Sequence, residues 1–162
     1  MTEAKYSALD IARFVINYSQ EIHSPVTNLK LQKLLYFIQA FFLTKQDRPC
    51  FTDEIEAWSL GPVVPSVYHE FKSFGAWQLP YIKAYFDNKN GIPVLMQGFD
   101  QSIISSFDRT QIQQIVSDFS SYSASVLVTV THNQDPWKKA YQYGSRVISN
   151  NSIKNYFEKL SD

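Results

Sequence analysis

The longest hydrophobic pattern in the chain lies at residues 28–45, where apolar positions surround a predicted helix almost completely. At about 100° per residue, one face of this helix carries five apolar side chains. They are Leu31, Leu34, Leu35, Ile38 and Phe42. Further apolar residues occupy most of the remaining surface, and a helix of this kind is buried on most sides. We therefore predict that this segment, capped by Thr27 or Asn28, is the central helix of the domain.

Helical spacing predicts further helices before and after the central one. Ser7 can cap a helix over residues 8–22, and Pro25 separates that helix from the next. Four further helices are predicted downstream, one of them by its start only. They are residues 65–74, a helix from Asp108 or Thr110 to 121, a helix starting at Asp135-Pro136, and residues 150–160. Residues 123–132 fit a strand by their Val and Thr content and a helix by their spacing.

Two stretches have the pattern of extended chain. Residues 52–58 alternate and predict a strand or an extended segment that ends at a Gly61-Pro62 corner. Residues 81–96 predict a β-hairpin around an Asn90-Gly91 turn. The predicted fold is therefore mainly α, a compact helical domain around a buried central helix with one small hairpin. A single domain over residues 1–162 fits a length close to the prior of about 150 residues per domain.

Composition indicates a folded protein without an obvious polyanionic partner. Of 162 residues, 44% are hydrophobic, and Lys plus Arg equals Asp plus Glu at 15 each. An independent DNA- or RNA-binding domain usually carries a basic excess, so no nucleic acid partner is expected. The longest apolar run, residues 34–43, is about half of what spans a bilayer. The first residues lack a secretory signal, so we expect a cytoplasmic protein with no membrane partner.

The sequence carries none of the usual signatures of catalysis or metal binding. Cys50 is the single cysteine, which rules out an intramolecular disulfide and a Cys-based zinc site. The three histidines are far apart, and no phosphate-binding loop or nucleophile elbow is present. We expect no catalytic residue, no cofactor and no metal. A less favoured alternative is a small hydrolase that uses His132 and Asp135.

Three stretches of the chain resemble the SocA-like antitoxin domain, also called the Panacea domain, of bacteria and their phages. They are "TNLKLQKLLYFIQAFFL" (27–43), "FTDEIEAWSLGPVVPSVYHEF" (51–71) and "SASVLVTVTHNQDPWKKA" (123–140). "ISNNSIKNYF" (148–157) resembles the closing helix of that family. The resemblance implies that residues 124–131 are helical, and we adopt that prediction. The residues that it marks as structural are Leu31, Leu34, Leu35, Tyr36, Gly61, Thr131, His132 and Trp137.

The same resemblance implies a function in protein binding. Domains of this family neutralise toxins by direct contact, so the expected partner is a protein toxin encoded nearby. A ClpXP-type protease, to which the domain delivers the toxin, is implied as a further partner. Rigid aromatic and proline surfaces suit interfaces because they lose little entropy on binding. Our candidate partner-binding residues are Lys30, Lys33, Trp58, Pro62, Val63, Pro65 and Tyr68. The alternative is that the corner residues Trp58, Gly61, Pro62, Val63 and Val64 all belong to the core, since Trp and Val are commonly buried.

A DNA-binding regulator is the alternative from another functional class. It requires six basic side chains to converge on one face despite the neutral balance of charge. They are Arg13, Lys30, Lys33, Lys138, Lys139 and Arg146.

Overall fold

The computed structural model describes residues 2–160, and within that range the chain forms seven α-helices and five short β-strands. The helices are α1 (Ala8–Glu21), α2 (Asn28–Lys45), α3 (Pro65–Phe71), α4 (Ser106–Asp118), α5 (Ala124–His132), α6 (Asp135–Gln142) and α7 (Asn150–Leu160). The strands are β1 (Ile55–Trp58), β2 (Gly61–Val63), β3 (Ala84–Lys89), β4 (Ile92–Gln97) and β5 (Val147–Ile148). The mainly α fold predicted from the sequence is confirmed.

Helix α2 is the centre of the molecule. The Thr27 hydroxyl accepts a hydrogen bond from the Lys30 N–H and fixes the start of the helix, as predicted. Other helices and strand β2 pack around α2, which contacts α1, α4, α5 and α7. Leu34, Leu35 and Ile38 are completely buried. The apolar residues on all faces of α2 are therefore explained by the burial of this helix on nearly every side.

The helix starts follow local capping chemistry, with two corrections. Ser7 caps α1 as expected, Ser123 caps α5, and residues 124–132 are helical despite their Val and Thr content. Helix α4 begins after Ser105, whose hydroxyl accepts from the Asp108 N–H, and not at Asp108 or Thr110. Helix α6 does begin at Asp135-Pro136, but Asp135, which was expected to be its N-cap, is already the first helical residue. Gln134 is the residue before α6 and makes no side-chain capping bond.

Asp108 does not cap α4 because its carboxylate is used elsewhere. Arg48 and Tyr6 each donate to Asp108 Oδ2 at 2.6 Å, and the Arg48–Asp108 pair is buried. Burial alone would raise the pKa of Asp108, but the hydrogen bonds from Tyr6 and Arg48 outweigh it, and the pKa is lowered. This pair joins the N-terminal segment and the loop after α2 to helix α4.

Two small antiparallel sheets complete the fold. One has the strand order β2-β1-β5, with Trp58 opposite Gly61 and Ile55 opposite Ile148. The other is the predicted hairpin, formed by β3 and β4 around Asn90-Gly91. Both turn residues have positive φ, as a two-residue hairpin turn requires. The short strand β5 was not predicted.

No helix within residues 2–160 combines the length and the apolar character needed to cross a bilayer.

Truncating the centre of α2 tests its structural importance. Leu35→Ala should lower the free energy of unfolding by about 2–5 kcal/mol, because it removes buried apolar atoms and leaves a cavity. Urea denaturation followed by circular dichroism measures this loss. Leu60→Ala is the control, since Leu60 is 54% exposed and its truncation should change stability by about 0.5 kcal/mol or less. Equal effects of the two substitutions would contradict the central position of α2.

Candidate protein-binding surface

A cluster of aromatic and apolar side chains lies on the surface where β1 turns into β2 and α3. We call this cluster the aromatic corner. It consists of Trp58, Leu60, Pro65, Tyr68 and His69. The Trp58 ring packs edge-on against Tyr68, with their centroids 5.0 Å apart, and lies 6.3 Å from the His69 ring. Leu60 and His69 are exposed, and the other three are half-buried. The corner thus offers apolar area in which the Trp58, Tyr68 and His69 rings already contact one another.

The backbone of the corner is held from inside by polar side chains of α2. Gln32 accepts from the Val64 N–H at 2.9 Å, and Asn28 donates to the Tyr68 carbonyl at 3.1 Å. Gln32 also donates to Asn28 at 2.9 Å, so the two amides support each other. Buried polar groups of this kind are costly to leave unpaired. The central helix therefore fixes the backbone at Val64, between β2 and α3, and at Tyr68 within α3.

Lys33 is the third side chain of α2 that holds the corner. It is fully buried, and its Nζ donates to the Pro62 carbonyl at 3.0 Å. Within residues 2–160 it forms no salt bridge, so no opposite charge offsets the loss of water around the ammonium group, and the Pro62 carbonyl is its hydrogen-bond partner. Burial accordingly lowers the pKa of Lys33 to about 7. Near neutral pH this lysine is balanced between its charged and neutral forms.

Gly61 leaves the space that Lys33 occupies. Its φ is +109°, a conformation that L side chains rarely adopt. A Cβ at this position would lie 2.7 Å from Lys33 Cε and 2.9 Å from Thr131 Oγ1. Glycine is therefore required here for its backbone conformation and for its missing side chain.

The third segment that reaches the corner is the end of α5 with the start of α6. Thr131 is buried, and its hydroxyl donates to the Leu127 carbonyl of its own helix at 2.9 Å. The His132 ring stacks on Trp137 with centroids 4.1 Å apart. The Trp137 indole N–H donates to the Trp58 carbonyl at 2.8 Å. The Thr-His and Pro-Trp residues therefore support the strand that carries Trp58.

The structure corrects part of the predicted partner-binding set. Lys33, Pro62 and Val63 are buried, and Lys30 is nearly so, with its Nζ donating to the Ser120 carbonyl at 3.3 Å. They cannot form an exposed contact surface, because packing and backbone hydrogen bonds hold them inside. The accessible members of the set are Trp58, Pro65 and Tyr68.

Two exposed residues of the corner, Leu60 and His69, were not among the candidate partner-binding residues predicted from the sequence. The tight connection between β1 and β2 could have indicated Leu60, because a side chain in a two-residue reversal points away from the sheet. No sequence pattern indicated His69, which follows Tyr68 on the short helix α3.

The basic face required by a DNA-binding regulator is not present. Arg13 is 3% exposed, and Lys33 and Lys30 also lie inside, so three of the six side chains cannot reach a phosphate backbone together. Burial of Arg13 has a local cause, since it pairs with Asp10 at 3.0 Å and lies over the Tyr85 ring.

The arrangement proposed for a hydrolase is also not assembled. Within residues 2–160, no hydrogen bond joins His132 to Asp135, and the His132 ring is stacked against Trp137. The same range holds no group of three or more His, Cys, Asp or Glu side chains that could bind a metal ion.

Two comparisons with known proteins point to the same family. The model of the family described as "Antitoxin SocA-like, Panacea domain" matches residues 31–138. The chain is 32% identical over 129 residues to Antitoxin SocA of Caulobacter vibrioides (strain NA1000 / CB15N). That alignment covers 78% of this chain and 66% of the relative, slightly less than two thirds of its length. No solved structure matches the chain.

Substitution of Gly61 tests the packing behind the corner. Gly61→Ala should lower the free energy of unfolding by about 2–4 kcal/mol, because backbone strain adds to the overlap with Lys33 and Thr131. Gly98→Ala is the matched control, since Gly98 also has positive φ but nothing within 4 Å of its Cβ position. Thermal and urea unfolding compare the two variants. A loss no larger than that of Gly98→Ala would mean that the close contact does not matter.

Burial of Lys33 predicts a specific dependence of stability on pH. Its pKa is about 7 in the folded protein and has an ordinary value of 10.5. Between these values the unfolded chain binds a proton that the folded protein has released, so stability rises with pH; below pH 7 both states are protonated and the effect is flat.

The measurement compares the wild type with Lys33→Met by urea denaturation at pH 6, 7, 8 and 9. Relative to the variant, the wild type should gain about 1 kcal/mol per pH unit above pH 7. The comparison removes the contributions of other titrating groups. Lys83→Met, at an exposed position, should show no such difference from the wild type. Parallel curves for the wild type and Lys33→Met would contradict the buried ammonium.

Proposed function

Because the chain belongs to the antitoxin SocA-like family, which is defined by the Panacea domain, we propose that it is an antitoxin that neutralises a protein toxin by direct binding. The toxin is the product of a neighbouring gene, and neutralisation takes place in the cytoplasm. One domain of this family spans residues 1–162.

The observation that carries the proposal is the meeting of three separate segments at the aromatic corner. Asn28, Gln32 and Lys33 come from the central helix, and the corner itself comes from residues 58–69. Trp137 comes from the start of α6 and donates to Trp58. All three segments were singled out from the sequence by their resemblance to the family, which supports a shared use of this part of the molecule.

The physical character of the corner favours a protein partner. Tyr and Trp are enriched among the residues that contribute most to binding at interfaces. Leu60, in the turn between β1 and β2, is 54% exposed and supplies apolar area that a partner would cover. The bonds from α2 hold the backbone before binding, so little ordering entropy is lost on association. The buried residues Lys33, Pro62 and Val63 position this surface, and Trp58, Leu60, Pro65 and Tyr68 contact the toxin.

Neutralisation takes one of two forms, which differ in the fate of the toxin. The antitoxin blocks the toxin by covering it, or it also delivers the toxin to a ClpXP-type protease. In the second form the toxin half-life falls when the antitoxin is present and recovers when the protease is deleted. In the first form the half-life does not depend on the protease. A pulse–chase measurement of the toxin in both strains separates the two.

Co-expression tests the proposal itself. The product of the neighbouring gene should arrest growth when expressed alone, and growth should recover when this chain is expressed with it. The two proteins should also purify as a complex. A neighbour that is not toxic, or a toxin that neither binds this chain nor is neutralised by it, would contradict the proposed function.

Tyr68→Ala separates a binding surface from a folding element. The substitution should weaken toxin binding by about 2 kcal/mol or more, because an interfacial tyrosine of this kind contributes strongly to affinity. Its cost in folding stability should be about 1 kcal/mol, since the ring is only half-buried. Isothermal titration calorimetry and thermal unfolding give the two quantities. Tyr122→Ala, at an exposed tyrosine between α4 and α5, should leave toxin binding unchanged.

The result that would contradict this assignment is a Tyr68→Ala variant that binds toxin as tightly as the wild type. The toxin-binding surface would then lie outside the aromatic corner, although the antitoxin function could stand.

A further inference from the structure

Two clefts lie side by side next to the aromatic corner, separated by residues 143–147, which we call the ridge. The first cleft has a volume of about 590 Å³ and is lined by Trp58, Tyr141 and Arg146 among others. The second has a volume of about 460 Å³ and is lined by residues of α6, β5 and α7. Successive ridge residues line opposite clefts, with Gly144 and Arg146 in the first cleft and Tyr143, Ser145 and Val147 in the second. The two clefts therefore share the ridge.

The charges that line both clefts are mostly positive. Arg146 is the charged residue of the first cleft, and within residues 2–160 its guanidinium has no hydrogen bond or salt bridge. The second cleft is lined by Lys139 and Lys159 against the carboxylate of Asp135. The whole chain balances its charges at 15 and 15, so this excess is local. A ligand that carries an anionic group would complement this local positive charge.

The backbone at Arg146 is in a conformation that arginine disfavours. Its φ is +61°, and the Val147 N–H donates to the Ser145 carbonyl at 2.7 Å, which closes a three-residue turn around it. The Ala57 N–H donates to the Arg146 carbonyl at 2.6 Å and fixes this turn beside Trp58. Glycine would adopt this conformation at lower cost. Strained backbone of this kind is concentrated at functional sites, which supports a use for the Arg146 side chain.

The aromatic lining of the first cleft is also fixed in place. Tyr141 stacks on Trp137 with centroids 4.7 Å apart, and Trp137 in turn stacks on His132. Trp58 is held through its carbonyl by Trp137 and through its indole N–H by Glu56 at 2.8 Å. An apolar side chain between Trp58 and Tyr141 would meet two rigid rings, with Arg146 lining the same cleft.

We propose that the two clefts bind an acidic segment of the toxin, in which a carboxylate pairs with Arg146 and a neighbouring apolar side chain packs against Trp58 and Tyr141. Arginine suits this task because its planar guanidinium can bind a carboxylate through two parallel hydrogen bonds. The inference rests on the proposed function and adds the chemistry of the toxin segment. Arg146 is then a residue that determines specificity.

The observations favour an acidic peptide over a nucleic acid. A phosphate backbone is bound by a continuous track of basic side chains. Arg13, Lys30 and Lys33, which could extend such a track, lie inside the protein. What remains is a pair of separate clefts, each large enough for a few side chains, with aromatic and hydroxyl groups among their lining.

The test measures the affinity of the full chain for the toxin, with variants at Arg146. Arg146→Gly should weaken binding by about tenfold or more, since a charge-assisted pair is lost. Its unfolding midpoint should stay unchanged or rise, because glycine relieves the positive φ. Arg146→Lys, which keeps the charge but not the planar fork, should be intermediate. Lys138→Ala, at an exposed lysine of α6 outside both clefts, is the matched control and should bind as the wild type does.

Salt dependence provides a second readout. Binding by the wild type should weaken as sodium chloride is raised from about 50 to 500 mM, and Arg146→Gly should show a smaller decrease. A smaller salt dependence in Arg146→Gly, with that of Arg146→Lys closer to the wild type and that of Lys138→Ala unchanged, would support the inference.

Three results would overturn the inference. If the wild type binds the toxin and Arg146→Gly binds it within about twofold, the clefts are not used although the antitoxin function stands. If the wild type binds no toxin but binds a single-stranded 20-mer oligonucleotide with a steep salt dependence, the ridge serves nucleic acid and the proposed function fails as well. If the wild type binds neither, both proposals fail.

Discussion

The hydrogen bond from the Lys33 ammonium to the Pro62 carbonyl is the contact on which the candidate surface depends. It brings a side chain of the central helix through the core to the back of the β1–β2 turn, and it requires Gly61 to leave room for it. A buried lysine without a carboxylate partner is destabilising by itself. Its retention at this position is explained if its task is to hold the backbone that presents Trp58 and Tyr68.

The same principle applies along the rest of α2, where polar side chains tie the core to loops that would otherwise be free. Gln39 accepts from the Cys50 and Phe51 N–H groups and donates to the Phe51 carbonyl, which fixes the chain after α2. The Tyr36 hydroxyl donates to Gln134 at the start of α6. A helix that is buried on nearly all sides can therefore act as a frame, because α1, α3, α4, α5, α7 and β2 all pack directly on it.

Sequence patterns predicted the elements whose causes are local. The all-round apolar character of α2 and the Asn90-Gly91 turn each require one structure, and the protein has both. The inward position of Lys33 could not be predicted, because charge alone indicates exposure and the space that receives the side chain is created by Gly61, a residue distant in sequence. Strand β5 is too short to show alternation. The clefts could not be predicted either. The ridge at Arg146 has no sequence motif, and its position depends on the hydrogen bond from Ala57, a residue distant in sequence.

We propose that residues 58–69 form a surface that α2 holds in place and that the toxin covers. Hydrogen–deuterium exchange of the full chain, with and without saturating toxin, tests it most directly. If the toxin covers this surface, exchange should slow on binding in peptides that cover residues 58–69 and the ridge, with little change in the β3–β4 hairpin. Slower exchange confined to the hairpin or to α4, with residues 58–69 unchanged, would contradict it.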